Sequence, residues 1–160
     1  MRVFIAGIGN KYMGDDGFGP KVVEELLSEE IPSGVEVRDV GLCGITLAPE
    51  LADYDMVIFV DAVNMDSKPG TIYCKKIERG DELKGEKGDA FSFLSIHETS
   101  LKELISFAAA IGTLPKEVFV IGCEVKEVLL REGLSEEVER GVKEAIDLIL
   151  GLLKRYCERE

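Results

Sequence analysis

No stretch of the sequence approaches the roughly 20 consecutive apolar residues that cross a bilayer. The opening MRVFIAGIG is too short and too broken by glycine to act as a secretory signal, so a cytoplasmic location away from membranes is expected. Cysteine is sparse: Cys43, Cys74, Cys123 and Cys157 lie far apart and form no CxxC pair. That spacing argues against a zinc ribbon or a dense disulfide frame and leaves free thiols in a reducing compartment as the simplest reading. Positive charge is also short, with 19 Lys and Arg against 31 Asp and Glu and a net charge of −12. A chain this acidic repels nucleic-acid phosphates unless its basic residues cluster, and no cluster is present, so nucleic acid is not expected as a partner. Glutamine is absent while Lys and Glu are plentiful, a usage that fits a heat-adapted source. Neither an internal repeat, a low-complexity tract nor a linker divides the chain, so residues 1–160 are read as one domain.

What remains is the composition of a soluble globular domain, with 46% hydrophobic residues. A compact chain of this length hides about 70% of the surface it exposes when unfolded, so one sizeable core is expected. Residues Arg2 to Ile8 form a short continuous apolar run, the pattern of a strand covered on both faces. A helix should follow, with Pro20 in its first turn, Val22, Val23, Leu26 and Leu27 at helical spacing, and Pro32 and Gly34 ending it. Further strands are predicted in VEVRDVG (Val35 to Gly41), MVIFVDAV (Met56 to Val63), GTIYCKKIE (Gly70 to Glu78) and EVFVIGCEV (Glu117 to Val125). A short helix is predicted around Thr46 to Asp53. Another is expected from Ser100, with Glu103 completing an S-x-x-E capping box and Gly112 closing it. A long terminal helix starts at Ser135, and the charged segment from Arg79 to Asp89 reads as an exposed loop. This order predicts a single three-layer α/β/α domain with a mostly parallel, twisted five-stranded sheet. In such a sheet the first strand lies centrally, and ligands bind at the carboxyl ends of strands one and three, where the strand order reverses.

The loop at that edge is GIGNKYMGDDGFG, Gly7 to Gly19. It has the look of a phosphate cradle but fails as one: Tyr12 stands where a dinucleotide fingerprint needs its third glycine, and no Gly-Lys-Ser/Thr follows. Asp15 and Asp16 at the helix entrance would also repel a phosphate, by several kcal/mol for two unit charges about 4 Å apart near a surface. A cation suits them better. Asp61, the only charge within MVIFVDAV, is costly to bury unless paired, hydrogen-bonded or coordinated. His97, the only histidine, sits in LSIHETS just before the capped helix. Two carboxylates and an imidazole suit zinc, nickel or manganese rather than calcium, and three protein ligands leave a position open. Taken singly, each residue also has a plainer reading: a helix cap at Asp15 or Asp16, a strand-end carboxylate at Asp61, a turn residue at His97.

These residues resemble the hydrogenase maturation proteases, which process the large subunit of nickel-iron hydrogenases. GIGNKYMGDDGFG matches that family's opening G-(I/V/L)-G-N-x-x-x-x-D-(D/E)-x-x-G. RDVGLCG resembles its D-x-G-x-x-G turn, FVDAV its strand-end Asp-Ala and SIHETSL its histidine segment, in order over most of the chain. The resemblance implies an endopeptidase that removes a short C-terminal extension from the immature large subunit once nickel has been installed. It implies Asp16, Asp61 and His97 as both metal ligands and catalytic residues, with Asp15, Asp39, Gly41 and Gly44 in support. Some members carry Glu at the position of Asp16, and Val40 stands where glycine is common.

Nickel, carried by the substrate, is the implied metal, and zinc or cadmium is an alternative occupant in vitro. Two mechanisms stay open: a bound metal that activates water, or shared ligation of the substrate's own nickel, which positions only loaded precursor for cleavage. The absence of HExxH and the carboxylate-rich open site favour the second. The implied partner is the immature large subunit, and the chain is expected to act as a monomer. Two further readings compete, a cysteine peptidase using Cys43 with His97 and a non-catalytic nickel-binding or chaperone-like module acting on the same precursor.

Overall fold

A computed structural model describes residues 1–42, 44–78 and 100–158, with Ser100 described by its backbone alone. The strands are β1 (Val3–Ile8), β2 (Val35–Gly41), β3 (Met56–Val63), β4 (Ile72–Lys76) and β5 (Glu117–Glu124). The helices are α1 (Phe18–Leu26), α2 (Ser100–Ile111) and α3 (Glu136–Cys157), and 3-10 turns run over Gly14–Gly17 and Ile45–Asp53. They form one five-stranded sheet in the order β2-β1-β3-β5-β4, parallel except for β4, which runs antiparallel to β5. The fold is therefore the α/β class expected, with β1 flanked by β2 and β3.

β1 and β3 are buried along their whole length because the sheet is covered on both faces. On one side Phe4, Ala6 and Ile8 pack with Val57 and Phe59 against Leu51 of the 3-10 turn and Leu104 and Ile105 of α2. On the other, Val3 and Ile5 pack with Ile58 and Val60 against Phe18, Val22 and Leu26 of α1 and Val138, Val142 and Ile149 of α3. Alternate strand residues thus supply two separate cores, the period-2 geometry that puts neighbouring side chains on opposite faces.

Two expectations need correction, the end of the first helix and the length of β4, and a third is refined. The first helix does not run to Pro32 and Gly34 but ends at Leu26, and its continuation Leu27 is 65% exposed, so beyond Leu26 burial gives the helix no reason to persist. The short helix expected around Thr46 to Asp53 is present over Ile45–Asp53 and is of the 3-10 kind, with Pro49 inside it, whose missing N–H cannot serve an α-helical ladder. β4 is shorter than Gly70 to Glu78, since Gly70 (φ +87) turns the chain. The exit of α2 is as expected: Gly112 has φ +80, Thr113 N–H donates to Ala108 O at 2.9 Å and Gly112 N–H to Ala109 O at 3.2 Å. Those two bonds are the paired closure of a Schellman motif. The proposed loop from Arg79 to Asp89 lies outside the described residues, as does the side-chain half of the capping box at Ser100.

Candidate functional site

The sheet order places the reversal point between β1 and β3, and the loop leaving β1 turns back over it. Gly9 (φ +137) makes the turn, and its N–H donates to Gly41 O at 2.9 Å, tying the loop to the end of β2. Gly7 and Gly19 let α1 descend onto the sheet: a Cβ on Gly19 would lie 2.3 Å from Ile8 O and 2.6 Å from Val60 O, and one on Gly7 would lie 2.6 Å from Gly19 O. Gly19 therefore makes the close helix-strand approach that a dinucleotide fold assigns to the position held here by Tyr12.

Asp15 and Asp16 sit side by side in the 3-10 turn and are both buried, at 0% and 2% exposure. Their side chains serve different ends. Asp15 reaches across the molecule: Oδ2 accepts from Lys126 N–H (2.8 Å), Glu127 N–H (3.0 Å) and Ser135 Oγ (2.9 Å), and Oδ1 from Ser135 N–H (2.7 Å). It caps no part of the helix it precedes; it holds Ser135, the residue at the N-terminus of α3. The main chain reinforces this link, with Gly14 N–H donating to Arg131 O at 2.7 Å and Asp15 N–H to Glu127 O at 3.0 Å. Asp16 belongs to the opening loop itself, and its Oδ2 accepts from Asn10 N–H at 3.0 Å.

Asp61 is fully buried in β3, one residue past the Gly7–Val60 pair with β1 and opposite Gly122 of β5. Its Oδ1 accepts from Ala62 N–H at 2.9 Å. The turn that carries Asp16 packs against β3. Asp16 and Asp61 thus leave the carboxyl ends of the two central strands on one edge of the sheet. Two buried carboxylates there are a donor set that a divalent cation would compensate, since desolvating such charges is otherwise costly. His97 lies outside the described residues, and among the described residues no group of three or more His, Cys, Asp and Glu side chains could hold a metal.

Asp39 is exposed, and its Oδ1 accepts from Gly41 N–H at 2.9 Å, so its carboxylate caps the turn that follows β2. The β1–β2 register slips between Gly7–Asp39 and Ile8–Gly41, so Val40 occupies a bulge and packs against the core that holds Ile8. Gly41 has φ +60, which accounts for glycine there; Gly44 is extended, and nothing lies within 4 Å of where its Cβ would be. A cleft of about 490 Å³ is lined by Lys11, Lys21, Leu27, Asp39 and Glu132 beside α1, and neither Asp16 nor Asp61 reaches it. Asp16 and Asp61, buried at the switch point, lie apart from this open hollow.

Of the thiols, Cys74 and Cys123 are free. Burial, with smaller contributions from the Asp15, Glu124 and Glu144 carboxylates, pushes the Cys123 thiol up to about 12, so it is no nucleophile at neutral pH. Cys43, the thiol of the cysteine-peptidase reading, lies outside the described residues.

One residue went unnoticed in the sequence. Glu124, at the end of β5, is 1% exposed and accepts from Met65 N–H (2.8 and 3.0 Å), Ser67 N–H (2.9 Å) and Tyr73 OH (3.4 Å). Its signal was the one that revealed Asp61, an acid at the end of an apolar strand.

The model of a family described as hydrogenase maturation protease matches residues 20–152. A Methanocaldococcus jannaschii protein provisionally named a hydrogenase maturation protease is 40% identical over 158 residues, covering 96% of this chain and 97% of its own. The solved hydrogenase 2 maturation peptidase of Thaumarchaeota archaeon SCGC_AB-539-E09 is 43% identical, with 96% of this chain and 98% of that one covered and a TM-score of 0.74. The Escherichia coli hydrogenase maturating endopeptidase HybD is 28% identical and superposes with a TM-score of 0.82 over 97% of this chain and 93% of its own. The chain belongs to the hydrogenase maturation protease family.

Proposed function

We propose that the protein is the endopeptidase that removes the C-terminal extension of an immature nickel-iron hydrogenase large subunit after nickel has been inserted, and that Asp16, Asp61 and His97 bind the substrate's nickel. The observation that carries this reading is the pair of buried carboxylates at the carboxyl ends of β1 and β3, in a chain of this family. Their donor chemistry fits a divalent transition metal when an imidazole joins them, and such an ion would supply charge compensation and a fixed point for the substrate. The chain's own part is to hold that point still. Asn10 N–H orients Asp16, Ala62 N–H orients Asp61, and Asp15 locks the loop that carries Asp16 to the N-terminus of α3.

Recognition of the cargo metal explains why cleavage would wait for nickel: precursor without it lacks the ligand that seats its tail against the edge of the sheet. Zinc or cadmium would take the same donors in vitro. The reaction is expected in the cytoplasm, with the protein acting as a monomer on the precursor and without nucleic acid.

The test mixes the protein with nickel-loaded and nickel-free precursor and follows loss of the extension by intact mass. Only loaded precursor should be cut, and Asp16→Asn, Asp61→Asn and His97→Ala should each abolish cutting while the fold is kept. Cleavage of neither form would leave the non-catalytic chaperone-like module as the better reading. Equal cleavage of both forms would remove the nickel checkpoint, and full activity of Cys43→Ala would eliminate the thiol mechanism.

A further inference from the structure

The last three residues of β3, Asp61, Ala62 and Val63, extend past the Gly7–Val60 pair with β1 and continue their ladder with β5. Asp61 folds its carboxylate onto the next amide, Ala62 N–H, so the direction of its side chain follows the peptide planes at the end of the strand. Those planes are fixed from the far side. Val125 N–H donates to Val63 O at 3.0 Å, and the Glu124 carboxylate then captures the N–H groups of Met65 and Ser67 just beyond. Between these two lies Asp66, at φ 55 the one non-glycine with left-handed backbone among the described residues. Aspartate tolerates that conformation better than most side chains, with Asp66 N–H donating to Asn64 Oδ1 at 3.3 Å, and the amides on both sides are held by one buried anion. The main chain of Glu124 also anchors the return toward β4, its O accepting from Gly70 N–H at 2.8 Å and its N–H donating to Thr71 O at 2.9 Å.

Burying a carboxylate this completely is costly unless it is fully hydrogen-bonded, and the donors it gathers all belong to the segment that leaves Asp61 or to the strand that follows it. We infer that Glu124 is a positioning residue for the candidate site: by clamping residues 64–67 it fixes the carboxyl end of β3 and with it the Asp61 carboxylate. The inference rests on the role proposed above for Asp61. It assigns Glu124 no contact with substrate or metal.

The experiment uses the full chain and reads two quantities, cadmium affinity by calorimetry and kcat and KM on nickel-loaded precursor. Glu124→Gln keeps size and one acceptor oxygen but turns an NH2 group toward the amides. It should weaken cadmium binding and lower kcat each by up to about tenfold, the lower end of the cost of losing a ligand's direct hydrogen-bond partner, since Glu124 acts on Asp61 only through the segment it clamps. KM for loaded precursor should rise as well, because the displaced Asp61 carboxylate is one of the groups that seats the precursor's nickel. Tyr73→Phe, which deletes the longest of the bonds to Glu124, should change neither quantity. A folded Glu124→Gln protein with wild-type cadmium affinity would overturn the inference, whatever its activity. If the wild type cuts no precursor but Glu124→Gln still weakens cadmium binding, the protease reading fails and the positioning role stands.

Discussion

Neighbouring aspartates with opposite duties are the main lesson at the scale of the residue. Asp15 gathers donors from Lys126, Glu127 and Ser135, while Asp16 takes Asn10 N–H and stays with the loop at the edge of the sheet. Asp15→Ala would strand the buried Ser135 donors and free the part-buried Lys126 and Glu127 amides. It should destabilise the protein by on the order of 3 kcal/mol, the range for breaking a buried charge-assisted network, as measured by urea unfolding. Asp16→Asn keeps an acceptor for Asn10 N–H and should cost much less than Asp15→Ala. A smaller loss for Asp15→Ala than for Asp16→Asn would show that the link to α3 contributes little. Sequence alone could mark the pair as acids facing an edge. It could not divide them, because the partners of Asp15 lie more than a hundred residues away, with |i−j| of 111 for Lys126 and 120 for Ser135.

Elements meet through glycines, and the two helices that share a face show opposite tolerances. On α1, Gly19→Ala would drive a methyl into Ile8 O at 2.3 Å and Val60 O at 2.6 Å, backbone atoms of two central strands that have nowhere to go. Loss of more than about 3 kcal/mol, or failure to fold, is expected. On α3, Gly151 is exposed with nothing within 4 Å, so Gly151→Ala should raise stability by about 0.5 to 1 kcal/mol through helix propensity. Urea midpoints for the two variants should move in opposite directions.

Element boundaries were legible where burial dictates them. β3 falls where the sequence predicts it, and β1 and β5 differ by one terminal residue, because a run covered on both faces has no ambiguous side. The edge strand β2, with no fully buried residue, also keeps its predicted bounds. The end of α1 was not legible, since Pro32 and Gly34 punctuate the loop after the helix rather than the helix itself. Asp61 was legible as a lone charge in an apolar strand. Glu124 carries a similar signal in EVFVIGCEV, yet its significance comes from Met65, 59 residues away, which no local spacing discloses.

The molecule as a whole carries a net charge of −12, so raising the pH strips protons from its lysines and adds self-repulsion to an already acidic surface. Cys123 adds a specific contribution of known sign. Burial against α3, where Gly141 leaves room for its Sγ, raises the thiol from 9.0 to about 12. The folded chain therefore keeps this proton through a range in which the unfolded chain has released it. With fewer protons bound to the unfolded state, stability falls as pH rises from about 9 toward 12, by about 1.4 kcal/mol per unit at most, and the contribution is intact below pH 9. Cys123→Ala removes this titration and leaves the general charge repulsion in place. At pH 7 the variant should be less stable by roughly 1 kcal/mol, the cost of a small core deletion. By about pH 10.5 the gap should have closed or reversed, because only the wild type carries the thiol penalty. Urea unfolding of both proteins at the two pH values measures the difference directly. A gap of the same size at both would mean that the Cys123 thiol ionises as readily in the folded protein as in the unfolded chain.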